Sequence, residues 1–145
     1  MPPSGYSISE TIDFTAALDA VNRASPFNQM AGFSIREASP GKVLLACTAN
    51  AALLNHAGAM HAGAQAALLD TAAGFAAATI AGNVVTLQLG LTFLASAKGE
   101  AFEARATVVK AGKVNLFVEV ELYAMRGGDA NLVATANAVM AKLGG

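Results

Sequence analysis

A chain of 145 residues, 54% hydrophobic and only 13% charged, suits one domain with a single large core. Its charged fraction is well below the usual figure of about 25%, which points to a surface covered in part by further copies of itself. A net charge of −1 gives no pull towards nucleic acid or an anionic membrane. One cysteine, Cys47, excludes an internal disulfide framework and suits a reducing compartment. The opening MPPSGYSISETIDFTAALDA has neither a basic n-region nor a continuous apolar run, so no signal peptide is expected and the protein is placed in the cytoplasm.

In chain order, the first expected element is a helix over residues 9–24. Ser9 serves as its N-cap, Ile12, Leu18 and Val21 give the apolar spacing, and Glu10 and Asp13 sit at the positive end of its dipole. Pro26 is expected to end it. GFSIREAS and KVLLACTA then read as a hairpin turned at Ser39-Pro40-Gly41. After a loop around residues 50–59, residues 61–81 read as a helix that is apolar almost all round, the mark of burial on every side. Residues 62–81 have nearly the length of a membrane span, but they are built on Ala and Gly, contain Gln65 and Asp70, and lack flanking Lys or Arg.

From residue 83 to 143 the period changes to two, giving four antiparallel strands. Leu87, Leu89, Leu91 and Phe93 alternate with Thr86, Gln88, Gly90 and Thr92. Phe102, Ala104, Ala106 and Val108 form the apolar set of the second strand, Val118, Val120 and Leu122 that of the third, and the last covers about residues 132–143. Lys98-Gly99, Ala111-Gly112 and Gly127-Gly128-Asp129 read as hairpin connections. The fold class is α+β: one domain over residues 1–145, with an antiparallel sheet wrapped around the long central helix. Such a sheet exposes its edge strands, and pairing those edges across a homodimer, or a dimer of dimers, removes them.

The only charge between Lys42 and Lys98 is Asp70, and an isolated carboxylate in apolar sequence is costly without a partner. Asn55 and His61 lie just before the same helix. Its first-turn N–H groups, around Ala62, Gly63 and Ala64, suit a carbonyl oxygen gaining negative charge. Eight residues separate Ala62 from Asp70, a rise of roughly 12 Å at about 1.5 Å per residue. Reacting atoms must come within about 3–3.5 Å, so Asp70 can serve that N-terminus only across two subunits with antiparallel helices. Asp70 is expected to find its partners in the second subunit, the alternative being a carboxylate satisfied by a neighbour such as Thr71.

The string NHAGAMHAG, from Asn55 through Gly58 and His61 to Gly63, followed by Asp70, resembles the hotdog-fold acyl-CoA thioesterases of the phenylacetate-degradation (PaaI) type. The order of elements resembles that family as well. The resemblance implies hydrolysis of an acyl-CoA to a free acid and coenzyme A, with no metal and no cofactor beyond the coenzyme A of the substrate. It implies that the Ala62 N–H holds the thioester carbonyl with help from Asn55 and His61. Asp70 from the partner subunit is then general base or nucleophile, and Thr86 helps to hold the water. The family usually has Gly-Gly after the His, whereas this chain has Ala62-Gly63; His-Ala-Gly also occurs in a sister group that usually carries Glu in place of Asp70.

Other side chains carry less. His56 reads as structural and Cys47 as a core thiol. No serine lies in a G-x-S-x-G context, and no second Cys or His stands at metal-ligand spacing. Lys98, Lys110 and Lys113, read as turn residues, are candidates for the phosphates of coenzyme A. Ala73, Ala76 and Ala77 suggest room for an acyl group, with aromatic, medium-chain and branched groups all open. A hotdog protein that binds acyl thioesters without turnover is the alternative function, and a hydratase of the same fold is a weaker third.

Overall fold

The computed structural model describes residues 12–144. Among the described residues two helices come first, α1 (Phe14–Ala24) and α2 (Pro26–Ala31), followed by the hairpin β1 (Phe33–Ser39) and β2 (Lys42–Thr48). A short 3-10 turn (Ala51–Leu53) leads to the long helix α3 (Ala62–Ala81). Four strands complete the chain: β3 (Val84–Phe93), β4 (Ala101–Ala111), β5 (Asn115–Arg126) and β6 (Asp129–Lys142). All six strands form one antiparallel sheet in the order β1-β2-β4-β5-β6-β3.

Close packing of small residues lets that sheet wrap α3. Leu68, Leu69, Ala72, Ala73, Ala76 and Ala77 on the helix are fully buried. Opposite them the inner face of the sheet carries Ala104, Ala106, Ala134, Ala136 and Ala138 among larger residues such as Leu45, Phe102 and Leu122. Alanine against alanine brings backbones together, while the larger residues fill the space at the sides. The helix touches all six strands. It is the one helix among the described residues long and apolar enough to cross a membrane, and half of that stretch is buried inside the protein.

Several details differ from the expectation. Asp13, not Ser9, caps α1, its carboxylate accepting from the Ala16 N–H at 3.0 Å, so the helix begins at Phe14 rather than at residue 9. Ser9 itself lies outside the described residues. Pro26 does not simply end α1: Ser25 stops that helix and caps the next, with Pro26 in the first turn of α2, where its missing N–H is no loss. His61 is the cap of α3 rather than its first residue. Lys98-Gly99 is not a hairpin turn. β3 pairs with β6, so the segment after Phe93 crosses the sheet from its edge to reach β4 beside β2. Along the way it is pinned by Leu94 N–H to the Val133 carbonyl at 2.8 Å and by Glu100 N–H to that of Met125 at 2.8 Å. Lys110 lies within β4 rather than in a turn.

The two sheet edges are treated differently. α1 packs against β1. Asn22, 2% exposed, donates from Nδ2 to the Phe33 carbonyl at 2.8 Å and accepts from Asn28 Nδ2 at 3.1 Å. β3, at the other edge, presents Val85, Leu87 and Phe93 to solvent, with Leu94 just beyond it. Replacing Asn22 by Leu strands both of its partners in the interior, and the expected cost is about 1–3 kcal/mol. Urea denaturation should show a lower midpoint at unchanged m; a midpoint equal to that of the unaltered protein contradicts this role.

Candidate active site

The stretch from Asn55 to Gly63 is a turn and a helix cap built from each other. The Asn55 side-chain oxygen accepts from the N–H groups of Ala57 at 2.9 Å and Ala59 at 3.1 Å. Gly58 closes this turn at φ +80°, a left-handed conformation that disfavours any side chain. Beyond it, Met60 N–H bonds the Ala97 carbonyl at 2.9 Å, tying the loop to the segment that crosses from β3 to β4. His61 then caps α3, its Nδ1 accepting from the Gly63 N–H at 2.8 Å. The spacing N-x-x-G-x-x-H-x-G is therefore explained first by folding.

Two consequences follow for the expected carbonyl site. The Gly63 N–H is already used by His61, so the amides of the first turn left without helix partners are those of Ala62 and Ala64. The missing side chain of Gly63 makes room for the imidazole, since a Cβ there would stand 3.1 Å from Nδ1 and 3.3 Å from Cε1. With Nδ1 accepting, the neutral ring carries its proton on Nε2, and the exposed edge of His61 is a donor. The Asn55 oxygen is likewise engaged twice, which leaves its NH₂ as the group it can offer. His61, Gly63 and Ala64 line a cavity of about 230 Å³ together with Phe27, Ala52 and Leu53.

Asp70 lies in a different place. Its Oδ1 accepts from the Thr86 hydroxyl at 2.8 Å, and the same hydroxyl lies 3.4 Å from Met140 Sδ. This corrects the expectation that the partners of Asp70 come only from a second subunit: one is in its own chain, and it is Thr86 rather than Thr71. A bulge makes the contact possible. The register of β3 against β6 slips between Thr86 and Gln88, so that Thr86 stands opposite Met140 and Gln88 opposite Val139. Strict alternation would put Thr86 and Gln88 on the same outer face. The extra residue, Leu87, is 59% exposed, and it turns Thr86 inward to Asp70.

Asp70 and Thr86 share a cavity of about 250 Å³ with Leu18 and Val21 of α1 and with Thr71, Gly74 and Ala78 of α3. His61 is not among its lining residues, nor is Asp70 among those of the cavity at His61. Within one chain the structure thus brings Asp70 to Thr86 and keeps both apart from the Asn55–His61 junction. Ala73, Ala76 and Ala77, expected to leave room for a ligand, are 0% exposed and belong to the packing of α3 on the sheet. The room is on the adjacent face, at Gly74.

His56 is exposed, and so are Lys98, Lys110 and Lys113. Of the three lysines only Lys98 adjoins the junction, next to the Ala97 carbonyl that holds Met60. Cys47 is buried, its thiol donates to the Ala31 carbonyl at 3.3 Å, and burial pushes its pKa up, which keeps it protonated and inert. The cap role of His61 is testable by itself. His61→Ala should cost about 1 kcal/mol of stability in urea, while His61→Asn, another side chain able to cap, should recover most of it. Equal stability of the two variants contradicts the cap.

The profile of the Thioesterase superfamily matches residues 57–130, which takes in Gly58, His61, Asp70 and Thr86. A thioesterase family protein from Silicibacter pomeroyi superposes with a TM-score of 0.86 at 32% identity, covering 91% of this chain and 100% of the other. A point mutant of the phenylacetic acid degradation protein PaaI from Thermus thermophilus gives 0.73 at 27% identity, over 82% of this chain and 100% of that one. A candidate esterase of Halobacterium salinarum is 33% identical over 99 residues, 63% of this chain. The match takes in 65% of that relative, just under two thirds of its length. With its six-stranded antiparallel sheet around one long helix, the chain belongs to the Thioesterase superfamily and has the hotdog fold of the PaaI-type enzymes.

Proposed function

We propose that the protein is an acyl-CoA thioesterase whose active sites form between two subunits. The observation that carries this reading is the Asp70–Thr86 pair, held at 2.8 Å in a cavity apart from the helix N-terminus. The rise from Ala62 to Asp70 is roughly 12 Å, too far for one chain to use both on one acyl carbon. The exposed edge of β3 supplies the means of joining them. Antiparallel pairing of β3 with the β3 of a second copy extends the sheet and sets two α3 helices side by side in opposite directions. Each helix N-terminus then faces Asp70 of the partner subunit.

At each site the substrate's carbonyl oxygen sits at the Ala62 N–H, the positive end of the α3 dipole. The Asn55 NH₂ and His61 Nε2–H are the further donors at that junction. Asp70 of the partner subunit takes a proton from water as the water oxygen bonds to the carbonyl carbon. The tetrahedral intermediate collapses with cleavage of the C–S bond, and the thiolate of coenzyme A leaves and is protonated. In the nucleophilic variant the carboxylate itself attacks the carbonyl carbon, the C–S bond breaks to release the thiolate of coenzyme A, and water hydrolyses the resulting anhydride to the free acid and the Asp70 carboxylate. Thr86 serves either route by fixing Oδ1, which leaves Oδ2 for the reacting group. Coenzyme A enters as part of the substrate, no further cofactor is needed, and the cytoplasm is the expected compartment.

Two substitutions test the roles separately. Asp70→Asn should lower thiol release from acyl-CoA by about 10²-fold or more, with the dimer intact by sedimentation. Ala62→Pro should do the same, because proline fits the first position of a helix but removes the N–H. The backbone of His61, at φ −56° and ψ 140°, already has the extended form that a following proline requires. Unchanged turnover in the Asp70 variant contradicts the mechanism. A wild-type protein that binds CoA esters across a panel without releasing thiol contradicts the enzyme reading itself.

A further inference from the structure

At the end of the first turn of α3 a polar side chain is buried where an apolar one would pack better. Gln65 is 5% exposed and lies on the helix face that carries Leu68 and Leu69, both 0% exposed. Its Nε2 donates to the Met60 carbonyl at 3.0 Å. Its Oε1 is also buried and has no hydrogen-bond partner among the described residues. A carbonyl only accepts, so the amide turns its NH₂ towards Met60 and leaves its own oxygen unmatched. A buried acceptor in that condition lowers stability, and a methionine of similar size would carry no such oxygen. What offsets the cost is the backbone that Gln65 holds.

Two successive peptide groups meet at His61, and Gln65 bonds to both. The first joins Met60 to His61. Its carbonyl accepts from the Gln65 side chain, and its N–H donates to the Leu53 carbonyl at 2.8 Å. The second joins His61 to Ala62. Its carbonyl accepts from the Gln65 N–H at 3.0 Å, and its N–H is the Ala62 amide that begins α3. That backbone bond is the ordinary first bond of a helix, open to any residue but proline. The side-chain bond is particular to Gln65. Because each peptide is planar, only φ and ψ of His61, −56° and 140°, relate the two groups. A Met60–His61 plane fixed at both its carbonyl and its N–H therefore fixes the direction of the Ala62 N–H.

We propose that Gln65 is a positioning residue for the thioester carbonyl, aiming the Ala62 N–H through the Met60–His61 peptide. The proposal rests on the thioesterase reading and extends it to a buried side chain that touches no substrate. Donors aimed at a developing oxyanion act mainly in the transition state, where the loss of one costs roughly 10²–10³ in kcat. A donor turned aside rather than removed costs less, and the loss falls on kcat more than on KM.

Gln65→Met keeps the volume of the side chain and removes the bond. Thiol release by the variant should show kcat lowered about tenfold or more, with KM within about threefold of the unaltered protein. In the Ala62→Pro background, which already lacks the N–H, the same substitution should lower the residual kcat by less than about twofold. Unchanged kcat in the first case, or an equal fold-loss in both backgrounds, overturns the proposal. Amide hydrogen exchange reads the same arrangement without turnover. In Gln65→Met the His61 N–H should exchange about tenfold faster or more, while the Leu69 N–H in the core keeps its rate. Equal acceleration at both is the mark of a purely structural role and overturns the proposal, as does an unchanged rate at His61. Gln65→Asn, whose amide ends one methylene short of Met60, gives the same comparisons where the methionine variant does not fold. An unaltered protein that releases no thiol contradicts the thioesterase reading, and the exchange rates still decide what Gln65 holds.

Discussion

The close approach of α3 to the sheet is the constraint on which everything else depends. Alanine faces alanine across that contact, from Ala72, Ala73, Ala76 and Ala77 on the helix to Ala104, Ala106 and Ala134 on the strands. A contact of this kind has no space for water and little tolerance for a larger side chain. Polar chemistry is therefore confined to places where the sheet does not cover the helix. One is the N-terminus, where the loop from Asn55 to His61 brings the backbone amides to the surface. The other is the margin beside β3, where Asp70 emerges half-buried.

Each place is finished by a local device with a clear physical cause. At the N-terminus the Asn55 turn, the left-handed Gly58 and the His61 cap hold one another in position. At the margin the bulge at Leu87 turns the Thr86 hydroxyl onto Asp70. The helix rise then keeps the two apart. In the proposed dimer a second copy brings them together, joining at the edge of β3 that pairs with no other strand among the described residues. Dimerisation in this account completes the chemistry as well as covering an exposed edge.

Most of this architecture is legible in the sequence. The change of period after residue 83 announces the strands, and the helix that is apolar on every side announces its own burial. The distance between Ala62 and Asp70 follows from counting residues. Other features leave no mark in a pattern of alternation. A bulge consumes one residue without altering the composition of its strand, so Thr86 looks outward until its partners on β6 are known. The crossing from β3 to β4 carries the same Lys-Gly signal as a hairpin. Pro26 reads as a stop and proves also to be a start. The position of the cavity beside Asp70 is hidden because Ala73, Ala76 and Ala77 and the neighbouring Gly74 are all small, and only the face of the helix distinguishes filled contact from open space.

The central claim is that each active site takes its helix N-terminus from one subunit and its carboxylate from the other. Co-expression of Ala62→Pro and Asp70→Asn subunits tests it most directly, each variant being inactive as a homodimer. A mixed dimer has one site with both defects and one with neither, so random assortment should restore about a quarter of the wild-type turnover per subunit. Purified mixed dimers should show about half. Mixed dimers no more active than the two parents would contradict the shared site.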